Sequence, residues 1–426
     1  PIARVHQGMT FSLSKEWGAR ARKTIPNGLP GHYRSYVFTP SQQVMIPEEY
    51  PHFLTSAEGC RFRDVDGNEY IDYLCGYGSM IAGYNNSRIN AAVTNQLEKG
   101  LCNTFLYPVY VELAEQLVNQ HQFSDWVNFS LNGSDAIAMA LAVARAHTNR
   151  SGVIVANGAF HGNQSWCSQG LGRIAADLSE THFVSWGEIG EIEAELQNSD
   201  DIAAIILCPY EQLVGAPNRI ASPDYWRVLR QLCDRAGCLL VVDDVRSGFR
   251  VSPSGTCDEF GIQPDLVCIS KAVANGHPLA AVMGSESLKA AAKNIFVSGT
   301  FWGYTLGLVA ALETQRILQE AGGATHMAKM GRMLTSGLET LALAHGFRLM
   351  ISGVDAMPMV QFSQDEDFRL MSLFARELAA QGSFIHPTHN WFLSLAHQAE
   401  DIEQTLLHAE KAFPVLQQDA SENGRS

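Results

Sequence analysis

Lys271 directly follows the apolar run DLVCIS (265–270). A lysine held at the mouth of a hydrophobic strand can lose its proton and attack a carbonyl carbon, although a lysine snorkelling to the surface would occupy the same place. Asp243 and Asp244 close LLVVDD (239–244). Two carboxylates at the end of a buried strand are costly unless each finds a partner, so one of them is expected to serve chemistry, with a strand merely running out to the surface as the alternative. Asn132-Gly133-Ser134-Asp135-Ala136 joins an apolar run to a helical pattern. Small residues, free backbone N–H groups and a hydroxyl at a helix N-terminus suit a phosphate group, and a plain N-cap turn reads the same way. Phe160-His161-Gly162 follows VIVAN (153–157) and can set an aromatic face against a flat ligand or simply pack into a core.

Such residues need a sheet to hold them together. From 127 to 284 short apolar runs alternate with amphipathic stretches: VNFSLN (127–132), VIVAN, HFVSW (182–186), AIILC (204–208), LLVVDD, LVCIS (266–270) and AAVMG (280–284). This pattern predicts an α/β domain with a seven-stranded, mostly parallel sheet covered on both faces. Helices are expected over 134–148 and 223–236, each opened by a good N-terminal residue. Residues 11–24 read as a helix, and FLTSAEGCRFRDVDGNEYIDYL (53–74) as a hairpin of two runs joined at Asp66-Gly67-Asn68. Toward the C-terminus, FRLMSLFARELAAQG (368–382) reads as a helix, and MPMVQF (357–362) and NWFLSLA (390–396) as strands of a smaller α+β domain. The expected division is an N-terminal segment, 1–75, joining a small C-terminal domain, 321–426, with a large domain over 76–320 between them.

The composition agrees with a compact body. The 426 residues are 46% hydrophobic and 17% charged, and 30 basic against 44 acidic residues leave a net charge of −14 with no basic run. Nucleic acid and anionic membrane surfaces are therefore poor partners. No apolar run reaches the ~18 residues of a membrane span, and no secretory signal is expected. The nine cysteines form no CxxC pair and mostly sit in apolar stretches, which points to reduced thiols of a cytoplasmic protein and to no metal site.

A phosphate cradle, an acid, an aromatic plate and a lysine, all at strand ends of one sheet, jointly match the needs of pyridoxal 5'-phosphate. A nicotinamide enzyme would need G-x-G-x-x-G opening its first helix, which is absent. The sequence also resembles the class III pyridoxal-phosphate aminotransferases, and within them the branch of glutamate-1-semialdehyde aminomutase. The family's S-G-T-E-A is represented by residues 132–136, its Y-H-G by Phe160-His161-Gly162, and its F-D-E-V-x-T-G-F-R by residues 242–250. Its P-D-L…K is Pro264-Asp265-Leu266 leading to Lys271, with further matches at 64–73 and at Gly299-Thr300.

The resemblance implies the type I fold of pyridoxal-phosphate transferases. It implies that Lys271 bonds the cofactor and that Asp243 pairs with its ring nitrogen. Gly133 and Ser134 would hold the phosphate, Phe160 and Val245 would cover the two ring faces, and His161 belongs to the same site. Thr300 would reach the phosphate of a neighbouring subunit, which makes the protein a homodimer with shared sites. Arg34 and Tyr77 fall where the semialdehyde branch has substrate contacts. The chain departs from the family at Cys208-Pro209, at Ala272 to Gly276 and at Trp302 to Thr305, all around the substrate. Transfer of an amino group from an amine or amino acid donor to a carbonyl acceptor is the expected reaction, with intramolecular aminomutase chemistry as the alternative.

Overall fold

The computed structural model describes residues 9–28, 35–39, 42–45, 50–167, 172 and 174–422. Its largest sheet is built from the seven apolar runs: β1 (Trp126–Ser130), β2 (Gly152–Ala156), β3 (Thr181–Val184), β4 (Ile202–Leu207), β5 (Leu239–Asp243), β6 (Leu266–Ile269) and β7 (Ala280–Gly284). They lie in the order β1-β7-β6-β5-β4-β2-β3. Only β7 runs antiparallel to its neighbours, β6 and β1; the remaining pairs are parallel. Every residue of β2, β4, β5, β6 and β7 is buried, as unbroken Val/Ile/Leu/Ala runs between two helical layers should be.

The helix Gly133–Thr148 begins where Asn132 accepts a hydrogen bond from the Asp135 N–H, and ends at Asn149 in the left-handed region, φ 55°. Pro223–Ala236 starts on a Ser222 cap with Pro at its first turn and stops at Gly237. It buries Trp226, Leu229, Leu232 and Cys233 along one stripe. The N-terminal helix spans Ser12–Thr24. Among the described residues, no helix is long and apolar enough to cross a membrane.

Two elements differ from the sequence expectation. The 53–74 stretch is not one hairpin but three antiparallel strands, Leu54–Glu58, Arg61–Asp64 and Glu69–Asp72. Gly59, at φ 59°, permits an extra reversal inside what reads as a single run. The short strand Ser383–Phe384 pairs parallel with Glu69–Asp72, so chain from both ends shares this four-stranded sheet. NWFLSLA is buried over residues 390–394, ends in a turn at Leu395-Ala396 and forms no strand. Its N–H groups alternate between two partners: Trp391 and Leu393 donate to Pro358 and Ala356, whereas Phe392 and Leu395 donate to Tyr73 and Ile81. The bonds to either side are too few to continue into a ladder. MPMVQF is the strand Met357–Phe362, paired antiparallel with Leu349–Val354, and the helix beside it spans Arg369–Gln381.

Candidate active site

The carboxyl ends of β1, β2, β4, β5 and β6 open on one cleft of about 260 Å³, the place where parallel α/β sheets hold ligands. Lys271 is the second residue after β6 and carries φ 48°. This is a left-handed conformation that costs roughly 1–3 kcal/mol for a non-glycine residue and persists only where its surroundings impose it. Ser270 before it donates to the Leu279 carbonyl at 2.8 Å, which fixes the turn. Asp243 ends β5. Its Oδ2 accepts from His161 Nδ1 at 2.7 Å and its Oδ1 from the Val245 N–H at 3.2 Å. A carboxylate offers about four acceptor positions, so Asp243 keeps capacity for a further donor. His161 Nε2 is buried and has no partner among the described residues.

The start of the helix Gly133–Thr148 forms one wall. Asn132 engages the Asp135 N–H, and the N–H groups of Gly133 and Ser134 meet no acceptor among the described residues. The Ser134 hydroxyl accepts from the Asn163 N–H at 3.1 Å. A Cβ on Gly162 would lie 2.5 Å from Ser134 Oγ, and one on Gly133 would lie 3.0 Å from Val245 Cγ1. Both glycines therefore let neighbouring segments of the cleft wall close on each other.

Burial pushes the Lys271 ammonium pKa down to about 7, Arg246 adds repulsion, and Asp243 opposes both. The amine is thus substantially neutral near physiological pH. Asp244 is built differently: it accepts from Ser247 Oγ at 2.7 Å, from Thr256 Oγ1 at 2.5 Å and from the Thr256 N–H at 2.8 Å. Burial raises its pKa to about 6 against those bonds. The ligand atoms of His161, Cys208 and Asp243 lie within 4.8 Å of one another, a grouping that only the fold creates. Burial keeps the Cys208 thiol protonated, and His161 and Asp243 are already bonded to each other, so the trio is a poor soft-metal site. The donor set fits pyridoxal phosphate instead: a nucleophilic amine, a carboxylate with spare capacity for a ring nitrogen, and free N–H groups for a phosphate.

Comparison with known proteins decides the matter of kinship. The Aminotransferase class-III family model matches residues 45–172 and 175–412. The chain belongs to the class III aminotransferases. It is 37% identical to the aminopentol aminotransferase of Sphingopyxis macrogoltabida over 95% of this chain and 94% of that one. A glutamate-1-semialdehyde 2,1-aminomutase of Thermomicrobium roseum is 30% identical over 93% and 96%. The solved FumI protein of Sphingopyxis sp. MTA144, in its PLP internal aldimine form, superposes with a TM-score of 0.90 at 36% identity, covering 96% of this chain and 97% of that one. This class III aminotransferase is accordingly an enzyme that uses pyridoxal 5'-phosphate and has the type I fold.

Of the residues singled out in the sequence, the class III fold brings Gly133, Ser134, Phe160, His161, Asp243, Val245 and Lys271 to the cleft. Phe160 stands at its rim, 62% exposed. Tyr77 is not among the lining residues; its ring packs edge-on against His389 at 5.4 Å. Thr300 is exposed and lies outside the cleft of its own chain. Arg34 lies outside the described residues. Arg246, Glu211 and Gln212 also line the cleft and escape a reading of the sequence alone. Glu211, three residues past Cys208, supplies a carboxylate to the cleft, and Arg219 is bonded to it. Arg246 sits inside the motif at 242–250, in its one variable position, and variability hides it.

Proposed function

We propose that the cleft passes an amino group between an amine or amino acid donor and a carbonyl acceptor, with Lys271 and Asp243 acting on the reacting atoms. The observation carrying this reading is a lysine with a pKa near 7 in the same cleft as a carboxylate held by a buried histidine. Pyridoxal phosphate, when bound, supplies an electron sink for the charge left on the substrate carbon. Lys271 would hold the cofactor's aldehyde carbon and, once freed by the amine, would carry the proton away from the nitrogen-bearing carbon. Asp243 would face the ring nitrogen and favour its protonated form by charge, with His161 orienting that carboxylate. Gly133 and Ser134 would hold the phosphate, while Phe160 and Val245 would cover the ring faces. Arg34 is the proposed substrate contact, whereas Tyr77 packs against His389, outside the residues that line the cleft.

Aminomutase chemistry would use the same residues. The higher identity to an aminotransferase, 37% against 30%, supports transfer between molecules. Aminopentols and common amino acids are the first donors to try. The protein acts as a homodimer in which Thr300 completes the partner's phosphate site. The exposed Phe105, Leu106, Phe296 and Phe301, at 85%, 62%, 96% and 60%, support that assembly. Cys102 Sγ donates to the Thr300 carbonyl at 3.3 Å, which ties their two loops into one apolar surface of the kind that partners cover. The division 1–75, 76–320 and 321–426 is supported by the sheet that chain from both ends shares. Nine cysteines, all free, support a reducing compartment, the cytoplasm. The test is optical: a visible absorbance band that moves on adding a donor amine and returns with a carbonyl acceptor. A band unmoved by every amine tried overturns the reading.

A further inference from the structure

Arg246 lies three residues past the end of β5 and lines the cleft, half-buried. Its Nη1 donates to the Gln212 carbonyl at 2.7 Å and to Asn390 Oδ1 at 3.4 Å. Both acceptors are neutral. Its Nε and Nη2 meet no acceptor among the described residues, and no described carboxylate pairs with it. The acidic groups nearby are already held: Asp243 by His161, Asp244 by Ser247 and Thr256, and Glu211 by Arg219. Arg250, four residues on, is the contrast. It is fully buried, bonded to the carbonyls of Gly78 and Leu393, and set over the Phe392 ring at 4.9 Å, so its charge serves the packing. Arg246 instead presents an uncompensated cation to a cleft, with one planar edge of its guanidinium open. That edge matches a carboxylate bidentately.

We infer that Arg246 seats a substrate carboxylate on its Nε–Nη2 edge, so that one member of the substrate pair is an amino or oxo acid. The inference rests on the cleft being the amine-transfer site. Its placement is apt: Arg246 and Lys271 line the same cleft, so one small molecule can meet both. A carboxylate seated there also offsets a charge that is otherwise unbalanced in a half-buried place.

The test is a cycle on the holoenzyme. L-Alanine and isopropylamine differ only by a carboxylate in place of a methyl group, and each is followed through the first half-reaction by absorbance. Any effect of Arg246→Gln on Lys271 is shared by both amines, so kcat/KM for alanine is expected to fall about tenfold to a hundredfold further than that for isopropylamine. Arg246→Lys, which keeps charge but loses the fork, should recover part of the difference. Equal losses for both amines, or no loss for either, overturn the inference. A calorimetric titration with propanoate needs no turnover: binding weaker in Arg246→Gln by about tenfold or more supports the site, and equal binding overturns it. The amine-transfer reading is judged separately by the optical test over all donors, and propanoate judges Arg246 whether or not alanine and isopropylamine are donors. Melting temperatures of both variants separate lost binding from lost fold.

Discussion

Lys271 and the two aspartates set two kinds of strand-end environment side by side: Lys271 and Asp243 line the cleft, whereas Asp244 is bonded to Ser247 and Thr256. With the Lys271 pKa pushed down to about 7, the neutral fraction grows as pH rises through that value. Competitive acetylation of the apoprotein followed by peptide mapping should therefore give a half-point near 7. A half-point above about 9 would mean an ordinary solvated lysine. Arg246→Gln removes a repulsive charge and should move that half-point upward. Lys271→Ala loses both the covalent anchor and the proton carrier, so turnover should vanish. Borohydride reduction of the wild-type protein should place the cofactor on Lys271 and on no other lysine. Asp243→Asn should keep the fold and the cofactor but lower kcat roughly a hundredfold or more, because an amide cannot hold a ring proton by charge. A near-normal rate would assign the ring nitrogen to another group. Asp244→Asn should do the opposite. Asp244 accepts three bonds from Ser247 and Thr256, and an amide turns a donor toward some of them, so stability should fall by about 1–3 kcal/mol. Denaturant unfolding beside steady-state rates measures both effects.

At the scale of elements, what the sequence discloses and what it hides follow one physical rule. Strands buried on both faces announce themselves as unbroken apolar runs, and all seven strands of the large sheet lie within a few residues of theirs. Caps at Asn132 and Ser222 bond to nearby backbone, so they too are legible. NWFLSLA is not: it has the burial and the two-sided bonding of a central strand, and only tertiary structure shows that those bonds extend into no ladder. The same limit hides Arg246, whose neighbours Gln212 and Asn390 lie 34 and 144 residues away in the chain. The Asp243–His161 pair is half legible: each residue stands out by itself, but their contact spans 82 residues. A close junction of two elements at the site is Gly162 against Ser134. A Cβ on Gly162 meets Ser134 Oγ at 2.5 Å and Cα at 2.8 Å, in a backbone at φ 108°. Gly162→Ala should thus push the helix start out of place, costing roughly 1–3 kcal/mol of stability and weakening cofactor uptake. Retention of wild-type affinity for pyridoxal phosphate in that variant would show that the phosphate cradle lies elsewhere.

At the scale of the whole molecule, a single chain leaves an apolar surface exposed around Thr300. The cleft is lined by strand ends and a helix start of one chain, whereas Thr300 lies outside it, between the exposed Phe296 and Phe301. Rings exposed at 96% and 60% carry a cost in water that a two-fold interface would remove, since such an interface matches a patch with its own copy. If Thr300 crosses that interface to the partner's phosphate, no isolated chain owns a complete site, and specific activity should fall on dilution below the dimer's dissociation range. Subunit mixing gives the sharper test. A Lys271→Ala chain lacks the covalent anchor in its own cleft, and a Thr300→Ala chain lacks the hydroxyl it would lend to its neighbour. In a mixed dimer the cleft of the Lys271→Ala chain faces the truncated side chain of the Thr300→Ala chain, so both lesions fall in one site. The other cleft then holds an intact Lys271 and an intact Thr300. Two weakly active or inactive homodimers should therefore yield, on mixing under conditions of exchange, up to about one working site per mixed dimer. Tagged chains purified as the mixed species allow that activity to be measured per site. If exchange is demonstrated and activity does not return, each chain builds its own site and Thr300 has no part in the partner's.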